Sequence, residues 1–487
     1  MILRDLSRAT DRDFDLIVVG GGIYGVSLLQ EAARRGLSAC LCEANDFGSG
    51  TSWNSLRIVH GGLRYLQSVD LRRFFQSVAA RRRIARCFPG LVRPLSCVMP
   101  LYGEGLKRLS VMRLALLVND VLSMRRNVGL AKHAQLERSD ILDAAATQRE
   151  FALVRFDGLQ GAARWNDYFM VSSERILIEL LRDACLHGAI ALNYAGVEDI
   201  VADGGNVRGV LVRDRFTGAQ VTLRTRAVVN CAGPKVRTLA EGRGGDVAAL
   251  FRPSLAFNVL LDATLPGDSA FAVTAPQPDA QVLFLVPQKH TVLAGTVHLP
   301  RPSSTTEATP TEEELENCLA QLRAAIPGFD VRLTNVQRVF AGLLPARAEG
   351  RAELVKREVL WDHGKAGGLR GLFSISGVKF TTANDVALQI LHVMGLAARP
   401  GTARHDNDVQ LPISAATELL INADRLWAQN TGAVQDALVQ TARDEAVQSL
   451  DDLVLRRTNW ATTEVDLERV RRRVVELVGT EVRFKCV

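Results

Sequence analysis

Asp15-Leu16-Ile17-Val18-Val19-Gly20-Gly21-Gly22-Ile23-Tyr24-Gly25 decides the architecture. A short β-branched run enters a glycine cluster. A helical pattern leaves it at about Gly22 and runs to Arg35, with Gly36 as its C-cap. Ser38-Ala39-Cys40-Leu41-Cys42 then reads as a second strand that closes at Glu43. Strand, helix and strand within about thirty residues make a βαβ unit, which implies a parallel sheet. Gly20, Gly22 and Gly25 fit G-x-G-x-x-G. The first allows a tight turn, the second lets backbone approach a pyrophosphate, and the third lets the helix pack on the strand. The helix N-terminus presents unpaired N–H groups and a positive dipole end to the phosphates. Glu43 is placed to accept both ribose hydroxyls and argues against a 2′-phosphate. NAD and FAD both remain open at this point. The bland alternative is a glycine-rich turn with a surface glutamate.

Working outward, 487 residues suggest about three folding units, or one large unit and a tail. Apolar residues make up 47% and charged residues 23%, which excludes a disordered, collagenous or coiled-coil chain. The net charge of +6 does not demand nucleic acid. It permits an anionic substrate or an anionic membrane surface. The 8 cysteines include no C-x-x-C pair, so reduced, buried thiols in a cytoplasmic protein are expected. The charged start MILRDLSRATDRDFD carries no signal peptide, and no apolar run reaches 18 residues. The histidines form no ligand pattern, so no metal is expected.

From Val69 to Pro94 the chain reads as an arginine-rich helix with Phe74, Phe75, Val78, Ile84, Ala85 and Phe88 on its inner face. Leu106 to Arg126 is a second amphipathic segment. Ser172 to His187 is helical, and Val197 to Val229 alternates strands and turns. Leu283–Val286 and Val292–Thr296 read as paired strands of a second sheet, and Leu372–Ser376 as a core strand before a helix from about Thr381. A composition shift at Ala397 to Asp408 suggests a boundary near residue 400, with helices only beyond Pro412.

The segment Thr51-Ser52-Trp53-Asn54-Ser55-Leu56-Arg57-Ile58-Val59-His60-Gly61-Gly62-Leu63-Arg64-Tyr65-Leu66 closely resembles the block after the second strand in FAD-dependent, quinone-linked glycerol-3-phosphate dehydrogenases. Asn230-Cys231-Ala232-Gly233-Pro234 resembles that family's second flavin-contacting turn. Phe284-Leu285-Val286-Pro287 with Ala294-Gly295-Thr296 is similar to its substrate-domain hairpin, and Ser376-Gly377-Val378-Lys379-Phe380-Thr381-Thr382 to its flavin-pyrimidine turn. Leu450-Asp451-Asp452-Leu453 before Arg456-Arg457-Thr458 is similar to the family's helical C-terminal domain. The matches run in order from about residue 14 to 390.

The resemblance implies an α/β fold: a Rossmann-like FAD domain of the glycine/D-amino-acid oxidase type, a mixed-sheet substrate domain and a C-terminal helical domain. The expected spans are a discontinuous region over 12–395, with FAD binding at about 12–90, 160–250 and 335–395. The substrate cap takes about 91–159 and 251–334, and the helical domain 405–487. It implies FAD, with Gly20, Gly22, Ile23, Gly25, Glu43, Thr51, Ser52, Ser55, Arg57, His60, Gly61, Gly62, Leu63, Ala232, Gly233, Gly377, Lys379, Phe380 and Thr381 at the cofactor. It also implies oxidation of glycerol 3-phosphate, or a related secondary alcohol, to the ketone. Hydride passes to flavin N5 and electrons go on to quinone. Arg64, Tyr65 and Lys379 are expected at the substrate, and the protein is expected in the cytoplasm or peripherally at the membrane, as a homodimer in one reading. A dipole end near Thr381 and the charge of Lys379 suit the negative charge that flavin gains on reduction.

Two departures matter. The family's Gly-Val-Arg-Pro run stands here as Gly342-Leu343-Leu344-Pro345, and its Lys-Gly-x-His segment as Leu255-Ala256-Phe257-Asn258. Leucine cannot replace arginine's bidentate phosphate contacts. Either Arg347 reaches the same pocket, or the pocket takes a less charged hydroxy compound. His60 is either the base for the hydroxyl proton or a shaper of the flavin site. The cluster Arg81-Arg82-Arg83-Arg86 is a solvated helix face or, with the Leu106 to Arg126 segment, a contact for anionic lipid. Rival readings are an amine or amino-acid oxidase and a flavin-binding partner protein without catalysis.

Overall fold

The computed structural model describes residues 1–103, 105–277, 280–288, 290–396, 409–421 and 431–486. The expected boundary stretch at 397–408 lies outside these residues. The opening motif folds as read: strand Leu16–Val19, helix Ile23–Arg34 and strand Ala39–Cys42. Leu16–Val19 is buried at every position, because parallel strands are covered on both faces.

This unit sits in a six-stranded sheet. Its order is Val359–Asp362, Leu372–Ser376, Val228–Asn230, Leu16–Val19, Ala39–Cys42, Ile190–Leu192. All neighbours are parallel except the first pair. The consequence for function is topological. Three strands that lie side by side end at Val19, Asn230 and Ser376, and each runs straight into a glycine-bearing turn. Ligands of open α/β sheets bind outside such carboxyl ends.

A second, mixed sheet has nine strands among the described residues. Along its path lie Val336–Pro345, Pro253–Leu261, Val292–Pro300, Val282–Pro287, Ala270–Thr274, Val92–Leu101, Gly161–Met170 and Ile58–Val59. One face buries Leu255, Phe257 and Leu285 against Cys318, Leu319 and Leu322 of the helix Glu312–Ala325. The other face carries Leu260, Phe340, Trp165 and Phe284, which pack with Trp53, Leu56 and Leu63. Gly161–Met170 and Val336–Pro345 therefore belong to this sheet, although the expected spans put 160–250 and 335–395 with the FAD-binding region. Sequence periodicity marks strands but not which sheet receives them.

Two helix readings need correction. The arginine-rich helix is Leu71–Cys87, and Pro94 already belongs to the next strand. Phe75 is exposed, whereas Phe74 is buried. None of Arg81, Arg82, Arg83 and Arg86 is exposed, so this cluster is neither a solvated face nor a lipid contact. Arg83 bonds Asn384 and Asp385, and Arg81 bonds the Asn166 carbonyl and Asp167. The second amphipathic segment is the helix Leu109–Leu122. It buries Met112, Leu116 and Asn119, but turns Leu114 and Leu117 outward, each 61% exposed.

Beyond residue 409 the described chain is helical, and it is bolted to the first βαβ unit by buried charge. Asp46 lies three residues past Glu43. Its carboxylate accepts from Arg456 Nε at 2.6 Å, from both Arg457 Nη atoms at 2.8 and 2.9 Å, and from Asn193 Nδ2 at 3.0 Å. Arg175 adds a second tie, donating to Glu445 from Nη1 and Nη2 at 2.5 Å. Burial alone would push the Asp46 carboxyl up, but the Arg457 and Arg456 charges outweigh it and hold it far below the usual carboxylate range. Its folded value lies below the unfolded one. The stability it contributes is therefore present above about pH 4 and is lost as pH falls towards the folded value.

Asp46→Ala leaves two buried guanidinium groups without their shared partner, and such a break costs about 3–5 kcal/mol. In urea titrations with limited proteolysis, the variant should lose the segment after residue 409 before the rest of the chain. A melt and cleavage pattern matching the wild type would refute the bolt.

Candidate active site

The three turns converge as the topology requires. Gly20 has φ +104°, and a Cβ there would lie 2.6 Å from the Cys231 carbonyl oxygen and 3.1 Å from Ala232 Cα, so the first and second turns touch. A Cβ on Gly25 would meet the Gly20 carbonyl oxygen at 2.0 Å. Only glycine lets the helix Ile23–Arg34 pack this close. The third turn is held by a residue that the motif does not specify. The Tyr24 hydroxyl donates to the Lys379 carbonyl and accepts from the Lys379 amide, each at 3.1 Å. Burial keeps this phenol protonated. A Cβ on Gly377 would collide with it at 2.3 Å.

The helix start fits a pyrophosphate. Gly22 offers backbone with room bounded by Ser52 Oγ, 3.0 Å from a Cβ placed there. Ser52 Oγ accepts from the Ile23 amide at 2.9 Å, holding the small-residue loop beside these donors. Glu43 accepts from the Gly21 amide at 2.6 Å and from Asn45 at 2.8 Å. Burial pushes its carboxyl up against the pull of these amides. Gly233, at φ +55°, opens the second turn beside Gly20. Ser376 Oγ, just before Gly377, is buried and has no partner among the described residues. Glycine backbone, an open helix end, an acid at the second strand and an orphan hydroxyl form a donor set that suits a bound dinucleotide.

The loop after the second strand lies across the large sheet. Thr51 Oγ1 donates to the Leu343 carbonyl at 3.2 Å, and Gly342 leaves space for Thr51. Trp53 meets Phe340 edge-on at 5.2 Å, and Ser55 faces Ser173 at 3.4 Å. Arg57 is placed differently from the expected cofactor role. Its guanidinium is buried and occupied by Glu174, the Val171 carbonyl and Thr462, so it braces the C-terminal helices. Leu63 packs on the large sheet. Phe380 packs on the cluster around Ile84 and Phe88, while Thr381 follows it before the helix Ala383–Val393.

His60 is 49% exposed in its side chain, and its ring tilts over Phe284 at 5.2 Å. Its Nδ1 lies 3.3 Å from Asp167 Oδ2. Asp167 is a residue that sequence reading missed. It also accepts from the Gly61 amide and Arg81 Nη1, each at 2.7 Å, and from Trp165 Nε1 at 3.1 Å. Burial would raise its pKa, but the His60 hydrogen bond and the Arg81 charge win and hold it at about 2. His60 Nδ1 thus faces a buried carboxylate, with Nε2 at the far edge of the ring. Gly61 is glycine because a Cβ would strike Arg81 Nη1 at 2.1 Å, and Gly62 takes φ +92° to start the helix Leu63–Gln67.

Tyr65 is buried, and three cations pack around its ring. Lys379 Nζ, Arg73 Cζ and Arg64 Cζ lie 4.3, 4.4 and 5.9 Å from its centroid. Arg64 and Lys379 are thus brought together as expected. Arg347 is not: its side chain is 62% exposed and pairs with Glu353 at 3.2 Å. The neutral replacements share one face of the large sheet. Leu344 pairs with Ser254 and Phe340 with Asn258, so Leu344 and Asn258 point to the same side. Asn258 is buried, and its Oδ1 accepts from Thr296 Oγ1 at 2.7 Å.

Asp167→Asn should cost about 3–5 kcal/mol, because it leaves Arg81 buried without its counter-charge. In the wild type this contribution should be full above about pH 4 and fade as pH falls through about 2. Urea midpoints compared at pH 7 and pH 3 test it. Equal midpoints for both proteins at pH 7 would refute the pairing.

The sequence profile of the FAD dependent oxidoreductase family matches residues 15–384. The aerobic glycerol-3-phosphate dehydrogenase of Bacillus subtilis is 26% identical over 398 residues, which are 80% of this chain and 68% of that one. The glycerol-3-phosphate dehydrogenase of Synechocystis is 27% identical over 403 residues, 80% and 71% of the two chains. Among solved structures, the Bacillus halodurans glycerol-3-phosphate dehydrogenase complexed with FAD has a TM-score of 0.71 at 21% identity, covering 97% of this chain and 91% of that one. Glycine oxidase from Bacillus cereus has a TM-score of 0.53 at 16% identity, covering 83% and 99%. The family profile spans all three turns, and the chain belongs to the FAD dependent oxidoreductase family.

Proposed function

We propose that the protein oxidises glycerol 3-phosphate, or a closely related secondary alcohol, to the ketone. The observation that carries this reading is the His60–Asp167 pair, which shares a short segment with Tyr65, the ring that gathers Arg64, Arg73 and Lys379. FAD, when bound, supplies the hydride acceptor. The chain's own residues do the rest. His60 Nε2 takes the hydroxyl proton as the carbon gives up hydride, and the buried Asp167 carboxylate stabilises the resulting imidazolium. Arg64 and Lys379 hold the anionic end, and Tyr65 fixes the lysine through its ring face. The relatives named glycerol-3-phosphate dehydrogenase support this substrate class. Quinone is the electron acceptor in this reading.

Anaerobic mixing tests it. Glycerol 3-phosphate should bleach the bound flavin, glycerol should do so poorly, and glycine should not. His60→Ala should slow the bleaching by about 10²–10⁴-fold, the usual range for a positioned base. Bleaching by amines alone would move the reading to an amine oxidase. No bleaching by any of the three would move it to a flavin-binding partner protein.

The same reading includes peripheral attachment to an anionic membrane. No described helix is long and apolar enough to cross one. The helix Leu109–Leu122 turns Val111, Leu114, Leu117, Val118 and Val121 outward, and Met124 and Val128 continue the patch. Arg108, Arg113 and Arg125 are exposed around it. An apolar stripe with basic flanks suits an anionic interface. Sedimentation with anionic vesicles at low salt should fall on paired Leu114→Ser and Leu117→Ser changes. High salt should weaken it, since exposed charges are screened beyond about 8 Å at physiological ionic strength. No sedimentation at low salt would sink the membrane reading.

A further inference from the structure

Arg73 belongs to no motif. It sits in the first turn of the helix Leu71–Cys87, among many arginines, where the sequence gives it no distinction. The fold brings its guanidinium to Tyr65, with Cζ 4.4 Å from the ring centroid and Nη2 3.4 Å from the hydroxyl. Lys379 and Arg64 pack on the same ring, so every pair of these charges lies within about 10 Å, one Debye length at 0.1 M salt. Three cations gathered this closely repel one another unless something negative sits among them. The protein supplies little of that charge. Among the described residues, the single acid within ion-pairing distance of any of the three is Asp70, at 3.9 Å from Arg73. The Asp70 carboxylate also accepts from the Arg73 amide, capping the helix. Arg64 and Lys379 have no ion pair among the described residues.

A second observation points to a ligand at the same place. His298 Nδ1 is buried and has no hydrogen-bond partner among the described residues. Its ring stands on the face of the large sheet that carries Asn258, because His298 pairs with Ala256, two residues along the strand from Asn258. Burial, and then the nearby Arg64 charge, hold the imidazole at about 4, so it is neutral at pH 7. His298 thus feels the charge of Arg64, one of the three cations around Tyr65.

We propose that Arg73 is an anion-binding residue that completes a phosphate-monoester site with Arg64 and Lys379, replacing from the helix the cation that Leu344 removes from the strand. The proposal rests on the reading that this pocket takes a phosphorylated alcohol. It assigns specificity for the anionic head to the helix Leu71–Cys87, where the family resemblance assigns nothing. An arginine here offers several N–H donors, of which Tyr65 takes one, and the rest suit phosphate oxygens.

The test has one readout without turnover and one with it. Inorganic phosphate and glycerol 3-phosphate should each raise the melting temperature of the wild-type protein. Arg73→Leu should abolish most of that rise, and Arg73→Lys should retain part of it. In turnover, Arg73→Leu should raise KM for glycerol 3-phosphate by about 10–100-fold, the loss of one charge-assisted hydrogen bond. Its kcat should stay within about threefold, since a ligand to the remote anion binds ground state and transition state alike. FAD content and the rate with glycerol should not change. Should Arg73→Leu fail to fold, Arg73→Gln carries the same expectations. Equal phosphate shifts in wild type and variant, or equal loss with glycerol and glycerol 3-phosphate, would overturn the proposal. A phosphate shift that depends on Arg73 supports the site even where glycerol 3-phosphate fails to bleach the flavin, an outcome that counts against the substrate reading alone.

Discussion

The closeness of the Gly25 backbone to the Gly20 carbonyl constrains the rest of the molecule. A single methyl at Gly25 would lie 2.0 Å from that oxygen, so the helix Ile23–Arg34 can sit on its strand only with glycine there. That seating carries Tyr24 to a fixed place, and the Tyr24 hydroxyl then grips both backbone groups of Lys379. The turn after Ser376 is thus registered against the turn after Val19 through one phenol. Because Gly20 also abuts Cys231, the second turn is registered too. Lys379 and Ala232 each lie more than two hundred residues beyond the motif, yet their positions follow from how it packs.

Buried charge does the second part of the work. Asp46 and Asp167 are each buried, each collects several donors, and each stays ionised because arginines face it. Their tasks differ. Asp46 ties the C-terminal helices to the loop after Glu43, which explains why Arg456-Arg457 follows the block resembling the family's C-terminal domain. Asp167 ties Arg81, the Gly61 amide and the His60 ring, so one carboxylate holds both the backbone and the imidazole of this segment. Removing either acid leaves arginine charge in a region of low dielectric, where it is costly.

What was legible in the sequence follows from which residues had no alternative. Gly20 and Gly25 could be read because backbone contacts permit no side chain there, and Gly377 because the Tyr24 phenol fills that space. The strand and helix limits of the opening unit were legible from apolar runs and the Gly36 cap, and the structure keeps them within two residues. Arginines were not legible in this way. Arg57 reads like a cofactor residue but meets Glu174 and Thr462, 117 and 405 residues away. Arg81 reads like a solvated side chain but meets Asp167, 86 residues away. A long cationic side chain takes its role from whatever distant acid the fold brings up, and local spacing holds no record of that. The assignment of Gly161–Met170 to the large sheet escaped for the same reason, since pairing partners are non-local.

The two kinds of charge in this protein separate structure from ligand. Arg57, Arg175, Arg456 and Arg457 are buried and meet carboxylates at close range. The cations around Tyr65 have almost no acid near them, although they share one ring. A chain that neutralises its buried arginines so thoroughly elsewhere has left this group positive. On the large sheet, Leu344 and an Asn258 already bonded to Thr296 share one uncharged face. In the proposed reading, positive charge is therefore concentrated at the Tyr65 end of the site. An anionic group entering it is drawn to Tyr65 and its cations. In the proposed reading the carbon end of a short substrate takes the remaining space, where His60 stands over Phe284. The orientation proposed for the substrate thus follows from where the chain leaves positive charge unpaired.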